Sequence, residues 1–238
     1  EKDGFQSLFH AKSFCGLVGY VQDGKMAPEG MERAGEAIKK LKDLADQFSV
    51  DRLSVFATAA LRNIDNTQEV LDRIEQEIGL RPEVLSGEEE SLYAFYGAIR
   101  KLDVESGLVV DIGGGSTEIV HFKHKKVINT ASLSVGSLNL FLNYVKGIQP
   151  KAKEIRAMES FVAERLDRLE WLGKVRVESI CGVGGSIRAM GKICQEWNGM
   201  HCMPFDISVI DRLLAIAKKK DGEFKKLLSL VPGRIHTI

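Results

Sequence analysis

A run of β-branched apolar residues that meets an acid and then three glycines constrains this chain more than any other feature. The stretch is GLVVDIGGGSTEIVHF, residues 107–122. Val109 and Val110 read as a buried strand with Asp111 near its end. Gly113, Gly114 and Gly115 make a turn, and the apolar pattern resumes after Ser116 and Thr117, so a second strand returns beside the first. Glycine reaches φ > 0 freely and lets a ligand approach the backbone with no Cβ in the way. Such a turn gathers N–H groups into one concavity, which suits phosphate oxygens. Ser116 and Thr117 add hydroxyl donors. Asp111 is suited to Mg²⁺ or its waters, because Mg²⁺ prefers carboxylate oxygens and keeps much of its hydration.

A lone glycine triplet reads first as a plain hairpin with the acid capping the turn. Two details point past that. An unpaired carboxylate in an apolar strand is costly. GVGGS, residues 182–186, supplies a second glycine turn after another apolar strand, so Gly184, Gly185 and Ser186 join residues 113–117 as candidate phosphate contacts. Neither turn is a G-x-G-x-x-G opening a helix, and no G-K-[ST] follows either.

Along the rest of the chain, residues 5–21 alternate loosely and read as one or two strands. Residues 27–48 carry apolar side chains at helical spacing (Met31, Ala34, Ile38, Leu41, Leu44, Ala45, Phe48), with Pro28 suited to a first turn. RLSVFAT is a short strand. TQEVLDRIEQEIGL is a helix, with Asn66 as its cap and Gly79 as its stop. PEVLS is a short strand, and Ser86 with Glu89 forms a capping box at the start of SGEEESLYAFYGAIRKL. Strands LVVDI, TEIVHF and KVINTASL follow, then helices over LNLFLNYV and KAKEIRAMESFVAERLDRLEWL. The strand VRVESICGV and helices over GGSIRAMGKICQEW, DISVIDRLLAIAKKK and EFKKLLSLV complete the order. Strands alternating with helices imply an α/β fold with a largely parallel sheet. RLSVFATAALRNI and VESICGVGGSIRAM each run strand, small-residue turn, helix, with Arg62 and Arg188 at the same offset. With the repeated order, this suggests two related domains, 1–102 and 103–238, facing each other across a cleft.

Lys plus Arg equals Asp plus Glu at 33 each, so no global field holds the chain on nucleic acid or a membrane and any anion site must be local. The four cysteines (Cys15, Cys181, Cys194, Cys202) show no C-x-x-C spacing, which suits a reducing cytoplasm, and no apolar run reaches spanning length. The five histidines show no ligand spacing. KHKK at 123–126 reads as a solvated hairpin tip rather than a polyanion track. Arg62 and Arg188 read either as phosphate contacts or as helix caps.

Glu88, Glu89 and Glu90 open a helix, where acids complement the positive end of the dipole. Glu89 is taken by the capping box. Glu90 shares a face with Ala94, Gly97 and Ala98, where small side chains admit a ligand, so its carboxylate beside a phosphate cup is placed to orient a water. Glu118, next to the glycine turn, reads either as holding a water near a metal or as facing solvent on its strand.

Strand, D-x-G-G-G-[ST], strand resembles the second phosphate loop of the actin-like and sugar-kinase-like ATPase superfamily. More narrowly, the chain resembles the exopolyphosphatase / guanosine pentaphosphate phosphohydrolase (Ppx/GppA) family. The resemblance is carried by ATAALR (57–62), VLSGEEESLYAFYGA (84–98), VVDIGGGSTEIV (109–120), SLSVGSLNL (132–140), GVGGSIRAM (182–190) and PGRIHTI (232–238). It implies two ribonuclease H-like domains, the first N-terminally truncated. The family's first phosphate loop, a D-x-G-S-N-S-type turn, would lie upstream, and its further C-terminal helices would lie downstream. Both ends read as cut in mid-pattern.

By the same resemblance Glu90 is the catalytic base. Residues 113–117, Gly184, Gly185, Ser186 and Arg62 contact phosphate, and Asp111 with Glu118 attends Mg²⁺. The implied reaction releases the terminal phosphate of inorganic polyphosphate, or converts guanosine pentaphosphate to tetraphosphate, in the cytoplasm. A homodimer is compatible with it. One departure stands out: the usual Ala-Arg-like pair after the acidic run is Ser91-Leu92. Two other readings stay open, an ATPase or kinase of the same superfamily and a module that binds alarmone nucleotides without turnover.

Overall fold

Met31, Ala34 and Ala37 recur at three-residue spacing and are buried along one stripe of α1 (Pro28–Gln47), which Pro28 opens at its first helical position. The computed structural model describes residues 9–100, 102–198, 204, 206–219 and 221–232, and they divide into two compact units, Glu1–Leu85 and Ser86–Ile238.

In the first unit α1 packs on α3 (Thr67–Ile78), burying Met31, Ala34, Val70, Leu71 and Ile74 with Met26, Leu61 and Ile64. Gly79 ends α3 at φ 71°, as read from the sequence. Asn66 occupies the cap position, but its side chain caps no helical N–H. Its Oδ1 accepts from Met26 N at 2.9 Å, tying α3 to the hairpin of β1 (Val21–Gln22) and β2 (Lys25–Met26). Of residues 5–21, expected as one or two strands, only Val21 lies in a strand among the described residues. Those up to 8 lie outside the described residues, 9–16 hold no regular element, and Gly16 in the left-handed region leads into a 3₁₀ turn at Leu17–Tyr20. β3 (Phe56–Ala57) pairs in parallel with β4 (Glu83–Val84), and α2 (Ala59–Arg62) follows β3.

The second unit holds a four-stranded sheet in the order β7-β6-β5-β8. β5 (Ser106–Ile112), β6 (Thr117–Lys123) and β7 (Lys126–Leu133) form an antiparallel meander, and only β8 (Ile180–Val183) pairs in parallel, with β5. The largely parallel sheet expected from the alternation is therefore corrected to a mixed one. The reason is local: turns as short as 113–116 and 124–125 can only reverse the chain. The latter turn has His124 and Lys125 at φ 51° and 56°, and it is the exposed hairpin tip that the sequence indicated.

On one face of this sheet lies α4 (Gly87–Ile99). Phe95, 1% exposed, meets Phe122 at a ring distance of 5.3 Å and closes a core with Val109 and Val120. This packing places α4 in the second unit, and the compact units divide between Leu85 and Ser86. Against the other face lie α5 (Ser137–Tyr144) and α6 (Ala152–Asp167). Between them and Leu108, Val110 and Ile112 is an apolar cavity of about 560 Å³. α7 (Gly185–Asn198), α8 (Ser208–Lys219) and α9 (Gly222–Ser229) pack together through Ala189, Ile193, Ile216 and Leu227. PGRIHTI lies mostly outside the described residues. Cys15, Cys181 and Cys194 are free thiols, and no helix among the described residues is long and apolar enough to cross a membrane.

Candidate active site

Ile112 and Thr117 are register partners, so residues 113–116 form the whole β5–β6 turn. Gly113 N–H donates across it to the Ser116 carbonyl at 2.9 Å. The remaining carbonyls point at the start of α5. Ser137 N donates to Gly113 O, Leu138 N and Asn139 N donate to Gly114 O, and Asn139 Nδ2 donates to Gly115 O. In a trans peptide the N–H points opposite to the carbonyl. Pinning these three carbonyls on α5 therefore turns the N–H groups of Gly114, Gly115 and Ser116 the other way. Among the described residues no protein group accepts from them, and together they make a concavity suited to an anion.

The hydroxyls beside this cup are engaged elsewhere. Thr117 Oγ1 donates to the Val135 carbonyl at 2.6 Å, and the buried Ser116 side chain hydrogen-bonds Glu118. The expected hydroxyl donors are thus directed into the protein, Gly113 N–H closes the turn, and the cup is made of backbone alone. Gly136 is part of its construction: a Cβ there would lie 2.4 Å from Gly114 C and 2.5 Å from Gly115 N. Sequence reading passed over Gly136 and Asn139, although Gly-x-x-Asn before an apolar run is the trace of this cap. Asn139 Oδ1 accepts from Gly136 N at 2.8 Å.

The second glycine turn stands beside the first. Gly184 sits at φ 100°, and a Cβ there would lie 2.4 Å from Ile112 O and 2.8 Å from Asp111 Oδ1. Only glycine allows this approach, and it brings the start of α7 to the end of β5. Ser186 Oγ is buried without a partner among the described residues, and Ser186 also lines the apolar cavity. Arg188, in the first turn of α7, is exposed and lies within electrostatic reach of Asp111. Arg62 belongs to the first unit, where its guanidinium donates to the Leu85 carbonyl at 2.9 Å.

Three carboxylates gather on the α4 side of the sheet. Asp111 and Glu118 are register partners on β5 and β6. Burial, and then the negative charge of Glu90, raise Asp111 above the ordinary carboxylate range, while Arg188 pulls the other way. Glu118 is only 2% exposed, so it does not face solvent. It too is raised, chiefly by burial and further by Glu90 and Asp111, against the hydrogen bonds from Ser116 and Ser132. Glu90 is half-buried on α4. Its neighbour Glu89 completes the capping box, accepting from Ser86 N at 2.8 Å while Ser86 Oγ accepts from Glu89 N at 3.1 Å, and this holds Glu89 below the usual range. Gly87 lets α4 start against β7. Ser91 is fully buried, donating to Gly87 O at 2.6 Å, so half of the Ser91-Leu92 departure serves the seating of the helix.

Two carboxyls raised by burial and by neighbouring negative charge are the pattern of a candidate site. The donor chemistry fits a hard cation. Mg²⁺ takes one or two carboxylates and completes its shell with water and phosphate oxygens, and no three His, Cys, Asp or Glu converge as a full ligand set among the described residues. Asp111 could hold such an ion, with Glu118, hydrogen-bonded by Ser116 and Ser132, beside it on the neighbouring strand. The apolar cavity lies on the opposite sheet face and suits no polyanion.

A model of the Ppx/GppA phosphatase family matches residues 2–228. Exopolyphosphatase 2 of Mycobacterium tuberculosis is 26% identical, with the match covering 90% of this chain and 72% of that protein. The crystal structure of the Aquifex aeolicus member of the Ppx/GppA family is similar at a TM-score of 0.75 and 28% identity, over 99% of this chain and 79% of that one. The type II variant of the Aquifex phosphatase is 30% identical at a TM-score of 0.64, over 91% of this chain and 73% of the other.

Proposed function

The chain belongs to the Ppx/GppA phosphatase family, and from that premise we propose that it hydrolyses phosphoanhydride bonds, releasing the terminal phosphate of inorganic polyphosphate, with the 5′-phosphate of guanosine pentaphosphate as a substrate of the same chemistry. What supports this reading is a cup of outward-turned backbone N–H groups at the end of the strand that carries Asp111, with Glu90 within electrostatic reach of that acid.

In this reading the terminal phosphate rests on the N–H groups of Gly114, Gly115 and Ser116, with the backbone at Gly184 and Gly185 and the Arg188 guanidinium beside it. Glu90 holds a water in line with the bond to be broken and takes its proton as the water oxygen bonds to phosphorus. The anhydride oxygen leaves with the shortened chain as an ionised phosphate. The negative charge on the transferring group is met by N–H dipoles already fixed by α5, so no reorganisation is needed at the moment of reaction. Mg²⁺ held at Asp111 would neutralise phosphate oxygens and so let a polyanion approach three carboxylates.

The test is phosphate release by the full-length protein from inorganic polyphosphate and from guanosine pentaphosphate, side by side with Mg²⁺. Release from either supports the hydrolase, and their ratio assigns the preference. Tight binding of guanosine pentaphosphate with no release from either would favour a nucleotide-sensing module instead.

A further inference from the structure

Ser132 stands on β7 as the register partner of Glu118 on β6, which in turn faces Asp111 on β5. Its Oγ donates to Glu118 Oε1 at 2.8 Å. A Cβ on Gly87, the first residue of α4, would lie 2.4 Å from Ser132 Cβ and 2.7 Å from its Oγ. The start of α4 is therefore set down on Ser132, and Glu90 follows within the same first turn. One small side chain thus touches the buried acid at the base of the site and the seat of the helix that carries the candidate base. On its remaining side Ser132 is exposed.

We propose that Ser132 is a positioning residue for the hydrolysis: its hydroxyl fixes the orientation of the Glu118 carboxylate, and its size sets the height at which α4 presents Glu90. This rests on the hydrolase reading of the site. Without the hydroxyl, Glu118 loses one of the two hydroxyls that hold it, and a buried acceptor deprived of a partner reorients or takes up water. Because the N–H cup is pinned separately by α5, ground-state binding of phosphate should not depend on Ser132.

The experiment compares full-length wild type with Ser132→Ala in two measurements. In polyphosphate hydrolysis kcat should fall about tenfold or more while KM stays within about twofold. In ¹³C NMR of the substrate-free protein, the Glu118 carboxyl carbon resonance should shift. Wild-type kcat in Ser132→Ala, a loss confined to KM, or an unmoved Glu118 resonance each overturns the proposal. If Ser132→Ala melts well below wild type, Ser132→Cys, with a weaker donor of similar size, takes its place and should show a smaller fall in kcat. If wild type releases no phosphate, the hydrolase reading fails by itself, and the Glu118 resonance alone decides whether Ser132 holds that carboxylate.

Discussion

Glu89 and Glu90 are neighbours in sequence with opposite surroundings. Glu89 is tied to Ser86 at the rim of α4, while Glu90 lies within the field of Asp111 and Glu118. General-base contributions are typically ~10²–10⁴-fold. Glu90→Gln should therefore lower turnover by about that factor while affinity holds or rises slightly, since a carboxylate repels a polyanion in the ground state. Glu89→Gln should keep most activity and lose only a helix-cap contact. Equal rate losses in the two would make the acidic run a helix-start feature only.

Glu118 yields a pH prediction. Its folded-state pKa is raised, so in the window between the ordinary carboxylate value and the raised one the folded chain binds more protons than the unfolded chain. Stability therefore falls as pH rises through that window, and the full penalty is present above it. Glu118→Gln removes this penalty. Its melting temperature should exceed wild type near neutral pH and converge with it below about pH 4. A variant less stable than wild type at neutral pH would contradict the assignment.

At the scale of elements, the cup of backbone N–H groups depends on α5 and a glycine. Gly136→Ala places a methyl against the Gly114–Gly115 peptide, so the loop must move off α5. Affinity for inorganic phosphate, measured by calorimetry, should fall at least tenfold, about 1.4 kcal/mol. A Cβ at Gly114 would meet only Leu138 Cβ, at 3.6 Å, so the backbone there tolerates a side chain, and Gly114→Val should block the cup to a similar extent. Unchanged phosphate affinity in both would place the anion site elsewhere.

Elements built from local rules were legible. The capping box at Ser86, the stop at Gly79 and the meander strands all follow from spacing and turn residues. What failed depended on distant partners. Gly16 and a 3₁₀ turn replace a strand before residue 21, and the sheet is mixed because two tight turns outweigh the helix–strand alternation. Nothing local in SLSVGSLNL marks Gly136 as part of the site, because its reason is a tertiary contact with Gly114 and Gly115.

At the scale of the whole molecule, the sequence marked Asp111, the glycine turns and Glu90 as chemistry out of place in an apolar strand and on a small-residue helix face. It could not show that α4 lies over Asp111 and Glu118, since that follows from Phe95 packing on Phe122. Nor could it show which way a hydroxyl turns: Ser116 and Thr117 read as phosphate donors, and the structure directs both inward. The family assignment covers nearly the whole chain and supports one reaction class, phosphoanhydride hydrolysis.

That class is tested most directly by the fate of solvent oxygen. With inorganic polyphosphate and Mg²⁺ in ¹⁸O-labelled water, the full-length protein should release inorganic phosphate that carries solvent oxygen, and Glu90→Gln should slow its appearance in parallel with turnover. Phosphate transferred to a nucleotide acceptor without solvent label, or no release from polyphosphate or guanosine pentaphosphate, would contradict water attack at this site.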